Sequence, residues 1–241
     1  MINLSVNFRG ISNSENYNIC YIDSRPYNGA APDQKILSTI TENFPDPKNV
    51  SIVDIAAGEG RNTIPLAQKG YNLLALELCS VGRDEIRKKA DFNRFENINI
   101  SGHDITKQPL NSKNDAFIMS HLTQHLNSEE MNSAFANISK SIKPKGILLF
   151  DSLINYGEPL FKNTKVDQEE GCCRFTMSEI KEMAEKNGFK LKEIVPYEET
   201  GASRAKYIDQ RRWGGPGMHE SDRFRHARRP VYLKWFLFEK T

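Results

Sequence analysis

Val50-Ser-Ile-Val-Asp54-Ile-Ala-Ala-Gly58-Glu-Gly60-Arg-Asn62 reads as a buried strand that runs into a glycine-rich turn and then a helix. The apolar residues Ile52, Val53 and Ile55 to Ala57 suit a strand covered on both faces. Gly58 and Gly60 permit a tight turn that brings backbone amides close to a ligand. Asn72-Leu-Leu-Ala-Leu-Glu77 reads as a second strand, and its closing acid lies 17 residues after Gly60. In dinucleotide-binding folds a carboxylate at this point holds ribose hydroxyls. A pyrophosphate, however, needs a third spaced glycine beside the helix N-terminus, and here Thr63 or a neighbour stands in its place while Glu59 adds a negative charge to the loop. The loop suits a ligand that carries a cation and an ammonium group.

Outward from this turn, strands and helices alternate. The patterning predicts a helix over 33–44, strands over 50–56 and 72–77 around a helix at 61–69, a helix over 80–91, and strands over 97–101 and 115–120. A helix over 128–142, a strand over 146–151, a helix over 176–187 and strands over 190–197 and 230–239 complete the series. Such alternation predicts an α/β fold, a mostly parallel sheet with helices on both faces.

The order Asp54-x-x-x-Gly58-x-Gly60-Arg61-Asn62, Leu66-Ala-Gln-Lys-Gly70-Tyr71, Glu77, Asp104, and Ile142-Lys-Pro144-Lys-Gly146 before a strand resembles the class I S-adenosylmethionine-dependent methyltransferases. The wording is closest to small-molecule enzymes of the tellurite-resistance and thiopurine type. The resemblance covers roughly residues 34 to 195 and, more loosely, the last strand. It implies a Rossmann-like seven-stranded sheet with an antiparallel last strand, and S-adenosyl-L-methionine as cofactor. One departure is Ala56, where the family commonly has its first glycine; an added methyl group is expected to be tolerated.

The resemblance also assigns a cofactor site. Asp54 would order the amino acid end of the cofactor indirectly, with Ala56, Gly58, Gly60 and Asn62 around it. Glu77 would accept the ribose hydroxyls, with Leu78 beside it. Asp104 would accept from the adenine amino group, and the Ile105 amide would reach the ring. Ser120 and Arg25 complete the set. After the fourth strand, Ser120-His121-Leu122-Thr123-Gln124-His125 lies at the C-terminal edge of the sheet, where open α/β sheets bind ligands. His121 is a candidate general base, or else lines the methionine end; His125 reads as structural and His103 as a rim residue. Tyr21 and Tyr197 are further catalytic candidates. Metal assistance rests only on Asp151 and Asn155 after strand five, which serve equally as caps or loop formers, and no metal is expected.

Composition agrees with one enzyme domain. A chain of 241 residues with 38% hydrophobic residues can bury a sizeable core, and a formal charge of +2 does not describe a polyanion binder. The expected organisation is an N-terminal cap over 1–44, a cofactor-binding core over 45–197, a basic lid insert over 198–230 and a final strand over 231–241. Met1-Ile-Asn-Leu-Ser lacks the features of a secretory signal and no apolar run is long enough to cross a bilayer, so a cytoplasmic protein is expected. Cys20, Cys79, Cys172 and Cys173 have neither zinc-knuckle spacing nor the pattern of a disulfide framework.

The segment between Ala202 and Pro230 is the most individual part of the chain. Arg204, Lys206, Arg211, Arg212, Arg223, Arg225, Arg228 and Arg229 outnumber Asp209, Glu220 and Asp222, and Trp213 precedes a flexible Gly-Gly-Pro-Gly run. Arginine forks suit carboxylate or phosphate, so Arg212 and Trp213 are candidate substrate contacts together with Tyr17 and Tyr27 of the N-terminal segment. A solvated basic loop is the competing reading. Nucleic acid is a third, without a broad basic stripe to support it. Transfer of a methyl group to a small, possibly anionic metabolite is therefore the leading function. Transfer or cyclisation of the aminocarboxypropyl arm, releasing methylthioadenosine, and methylation of RNA or protein stay open as alternatives. A monomer or homodimer with no membrane partner is expected.

Overall fold

The computed structural model describes residues 31–155, 175–196 and 231–241. Their strands form one seven-stranded sheet in the order β3-β2-β1-β4-β5-β7-β6. The strands are β1 (Ser51–Ile55), β2 (Asn72–Leu76), β3 (Ile98–Ser101), β4 (Asn114–Met119), β5 (Ile142–Asn155), β6 (Phe189–Pro196) and β7 (Val231–Lys240). The first five pair in parallel, and β7 lies antiparallel between β5 and β6. Sequence and structure agree on this class, including the inverted last strand.

The sheet is apolar on both faces because its strands alternate two apolar sets. Val53, Ile55, Phe117, Met119, Leu148, Phe150, Phe236 and Phe238 point to one side. Ile52, Ala116, Ile118, Ile147, Leu149, Trp235 and Leu237 point to the other. A side-chain period of two turns each continuous apolar run into two packed layers. The helices are α1 (Gln34–Asn43), α2 (Thr63–Gln68), α3 (Ser80–Asn93), α4 (Ser128–Ser141) and α5 (Met177–Lys186). The first face carries α4 and α5 through Met131, Phe135, Ile138, Ile180 and Ala184. The second carries α1 and α2 through Ile36, Ile40, Leu66 and Ala67.

Local signals set the helix starts. Asp33 accepts the Lys35 amide at 3.1 Å at the head of α1. Asn127 with Glu130, and Thr176 with Glu179, form reciprocal capping boxes at the heads of α4 and α5. The strand expected over 146–151 runs instead from Ile142 to Asn155, because Ile142 pairs with Asn114 of β4 and β7 pairs with it from Ile147 to Asn155. Asp151 is therefore a residue within a strand, and the loop or cap role considered for it does not apply.

Phe135 of α4 holds the first layer together. Its ring meets Phe150, Phe189 and Phe238 edge to face at centroid distances of 5.6, 6.0 and 6.3 Å. Replacing Phe135 by Ala is expected to cost about 3–5 kcal/mol of unfolding free energy, measured by urea denaturation.

Candidate active site

Parallel strands whose connections diverge on either side of β1 and β4 leave a crevice at their C-terminal ends. Most of the described candidate residues gather along this edge. The turn after β1 carries three positive φ values in five residues: Ala56 at 56°, Gly58 at 59° and Gly60 at 79°. Ala56 is accommodated, but volume is not what it costs. Its side chain is exposed, whereas an L-residue held in the left-handed region costs roughly 1–2 kcal/mol. That backbone shape is why glycine suits the position.

Glu77 fastens this turn to the next helix. Its carboxylate accepts the Gly58 amide at 2.8 Å with one oxygen and the Cys79 amide at 2.8 Å with the other. Gly82, in the first turn of α3, makes the approach possible, since a Cβ there would lie 2.9 Å from both Glu77 Cγ and Gly58 O. Arg83 donates to the carbonyls of Glu77 and Leu78, each at 2.8 Å. Burial raises the Glu77 pKa, opposed by the Cys79 and Gly58 amides and the Arg83 charge. Two of the carboxylate's four or so lone-pair sites are used by these amides, leaving further acceptor capacity. Beside it Leu78, 48% exposed, presents an apolar side chain at the strand edge.

Further along the edge, Asp104 accepts from the Thr106 amide and hydroxyl at 2.9 and 2.7 Å through one oxygen. Ile105 is buried, and its carbonyl accepts from Asn137 at 2.8 Å. His103 contacts the Gln108 carbonyl at 2.8 Å, consistent with a rim position. On the β1 side, buried Asp54 accepts from the Thr63 hydroxyl at 2.6 Å and so ties strand end to helix start. Asn62 turns away from its own helix: its Oδ1 accepts the Asp33 amide at 2.9 Å, joining the glycine turn to the head of α1.

A cluster of charges lies next to this turn. Arg61 donates to Ser120 Oγ at 3.2 Å and lies 4.0 Å from the Asp33 carboxylate. His121 has a φ of 57°, donates its backbone N–H to Asp151 Oδ1 at 2.6 Å, and places Nδ1 3.2 Å from Asp151 Oδ2. Asp151 is 0% exposed, and Thr123 Oγ1 donates to its carbonyl at 3.0 Å. Burial pushes Asp151 up to about 7, against the His121 amide and the Arg61 charge. Burial likewise pushes Asp54 up to about 7, against the Thr63 hydroxyl and Arg61. Asp33 is raised by burial and then by Asp151, with Arg61 opposing.

His121 is lowered to about 4 by burial, with Arg61 adding to the effect and Asp33 opposing it. His125 is also lowered to about 4, by burial and then by His121. Both rings are consequently uncharged at neutral pH, the form in which imidazole accepts a proton. Among the described residues, no group of three or more His, Cys, Asp or Glu side chains is arranged to hold a metal ion. No helix among them is long and apolar enough to cross a membrane.

Sequence reasoning missed Asp33, Arg61, Gly82 and the place of Asp151. Arg61 was legible as part of the turn motif, yet its direction depends on Asp33 and Ser120, which are remote in sequence. Tyr17, Tyr21, Arg25, Tyr27, Tyr197, Arg212 and Trp213 lie outside the described residues, as do Cys20, Cys172, Cys173 and the basic segment 198–230.

The buried acids make stability depend on pH. An acid whose folded pKa is raised binds more protons folded than unfolded, so its contribution falls as pH rises from the unfolded value of 3.8 to about 7. The lowered histidines act oppositely: their contribution is present above the unfolded value of 6.5 and is lost as pH falls toward about 4. An Asp54→Asn variant escapes the acid's part alone. Its stability relative to the parent is expected to improve, by on the order of a few kcal/mol, as pH is raised from about 4 to about 8 in paired denaturation curves. A pH-independent difference would contradict the buried ionisation.

Comparison with known proteins supplies a family. Residues 52–146 match the family described as "Methyltransferase domain". A ubiquinone biosynthesis O-methyltransferase of Rickettsia canadensis (strain McKiel) is 25% identical over 118 residues, which are 49% of this chain and 49% of that protein. The chain thus matches about half the length of this curated relative. Among solved structures, magnesium protoporphyrin IX methyltransferase from Synechocystis PCC 6803 with bound SAM superposes at a TM-score of 0.58, with 15% identity over 87% of this chain and 79% of that one. TehB from Haemophilus influenzae superposes at 0.56, with 15% identity over 85% and 62% of the two chains. At these identities the structural likeness speaks for the fold, and the match over 52–146 speaks for the family. Residues 52–146 thus carry the methyltransferase domain, and the described residues have the fold of a methyltransferase crystallised with SAM.

Proposed function

We propose that this protein transfers the methyl group of S-adenosylmethionine to a small, anionic metabolite at the C-terminal edge of the sheet. The observation that carries the cofactor reading is Glu77, whose carboxylate bridges the Gly58 and Cys79 amides beside the exposed Leu78. This donor set fits a nucleoside. Glu77 would take the ribose hydroxyls on its remaining lone pairs, Leu78 would cover one face of the base, and Asp104 with the Ile105 amide would meet its polar edge. Arg61 and Ser120 lie toward β4, where the amino acid end of the cofactor would extend. Bound there, the cofactor supplies an activated methyl on a sulfonium.

The chain's own task is to place the acceptor in line with that methyl and, where the acceptor carries a proton, to receive it. His121 is the described residue suited to the second task, being uncharged at neutral pH and seated at the end of β4. The small acceptor is supported by the relatives named for ubiquinone biosynthesis and for magnesium protoporphyrin IX. Its anionic character is supported by the arginines between Ala202 and Pro230, with Arg212, Trp213, Tyr17 and Tyr27 as proposed contacts and Arg25, Tyr21 and Tyr197 as further members of the site.

Titration calorimetry with S-adenosylmethionine tests the reading. The parent is expected to bind, and Glu77→Ala to weaken binding by on the order of 2 kcal/mol, the scale for lost hydrogen bonds to a charged acceptor. Unchanged affinity in the variant would remove Glu77 from the cofactor site. In the same incubations, methylthioadenosine released without an added acceptor would replace methyl transfer by chemistry on the aminocarboxypropyl arm.

A further inference from the structure

We propose that Asp151 is a positioning residue for His121, holding its ring with Nδ1–H directed at the carboxylate and Nε2 as the nitrogen with the lone pair. The inference rests on the reading of His121 as the proton acceptor in methyl transfer, but its basis is geometric. One carboxylate meets one residue at two points: Oδ1 accepts the His121 backbone N–H at 2.6 Å, and Oδ2, buried and making no hydrogen bond among the described residues, lies at the ion-pair distance of 3.2 Å from the ring Nδ1. A histidine held at a φ of 57° is in a region that costs an L-residue of order 1–3 kcal/mol and persists only where its surroundings over-determine it. The His121 amide and the Thr123 hydroxyl, both hydrogen-bonded to Asp151, supply that constraint.

The two partners sit on unequal supports. Asp151 belongs to β5, which is paired on one side with β4 and on the other with β7, and its own partner in β7 is Trp235. His121 belongs to the loop that follows β4, and Thr123 of the same loop donates to the Asp151 carbonyl. A fully buried residue of a strand paired on both sides thus faces a loop residue whose orientation it can set. The groups whose charges reach the pair are Arg61 from the glycine turn, Asp33 from the head of α1 and His125 from the turn that follows.

The arrangement matches what a proton-accepting imidazole requires. As methyl transfer made the acceptor acidic, its proton would pass to Nε2, and the imidazolium formed would be stabilised by the carboxylate 3.2 Å from Nδ1. An acid at Nδ1 fixes the tautomer that leaves Nε2 free of a proton, whereas an amide at the same place imposes the other tautomer. A purely structural tie would not distinguish the two. The Asn oxygen would still accept the His121 backbone N–H, but its NH2 would donate to Nδ1 and move the ring proton to Nε2.

The test is long-range proton–nitrogen NMR on full-length protein labelled with 15N-histidine, at about pH 8.5 so that the carboxylate is ionised. The His121 signal is identified among the five histidines by its loss in His121→Gln. The parent is expected to show the Nδ1–H tautomer and Asp151→Asn the Nε2–H tautomer, with affinity for S-adenosylhomocysteine changed less than about threefold. An Nε2–H ring in the parent overturns the proposal whether or not the variant folds, and so does an unchanged tautomer in a folded variant. A parent that fails to bind S-adenosylhomocysteine would instead count against the methyltransferase reading, leaving the tautomer result to stand by itself.

Discussion

The carboxylate of Glu77 is the constraint on which the site depends. By accepting the Gly58 and Cys79 amides it joins the turn after β1 to the start of α3, two segments that parallel pairing brings side by side but does not itself connect. Both amides belong to backbone that no ladder or helix would otherwise satisfy, and a buried N–H without a partner is costly. The acid also accepts a penalty, since burial raises its pKa. Gly82 shows how closely the parts are fitted: only a residue without Cβ lets α3 approach both the acid and the turn. The carboxylate proposed to recognise the cofactor is thus also a tie of the local fold.

Around Arg61 the balance is different. Asp33, Asp54 and Asp151 are all buried, and the Arg61 charge opposes the rise of each. Among the described residues, one arginine thus opposes the burial of three acids, and their polar groups are held by neighbours from separate elements. Such clusters of displaced pKa values occur at functional sites because chemistry needs groups that water would leave unperturbed. The hydrogen bond from the Asp33 amide to Asn62, and the reach of Arg61 toward Asp33, also join the head of α1 to the glycine turn. Helix α1 is thereby part of the site's support as well as of the second apolar layer.

Much of the fold could be read from the chain because its signals are local. Alternating apolar sets in Ile52-Val53, Phe117-Ile118 and Leu148-Leu149 specify two covered faces, and Asn127 with Glu130 or Thr176 with Glu179 mark helix starts within four residues. β5 was legible only in its middle, since its last residues are strand by virtue of pairing with β7, some eighty positions later in the chain. Ala56 could be recognised as a departure from glycine, while the reason glycine suits the place, a φ of 56°, is visible only in the folded backbone.

What the sequence alone determined is the class of sheet, the order of its elements and the family motif from Asp54 to Glu77, because periodicity, capping and turn chemistry act over a few residues. The tertiary structure decided which polar groups meet. Asp151 was a loop acid of no clear use until β4 and β5 aligned Met119 with Phe150 and brought it beneath His121. Arg61 was one letter of a turn motif until α1 and β4 supplied Asp33 and Ser120. Contacts of this kind join residues about 30 positions or more apart through hydrogen bonds whose value depends on burial, and burial is a property of the assembled layers rather than of any segment.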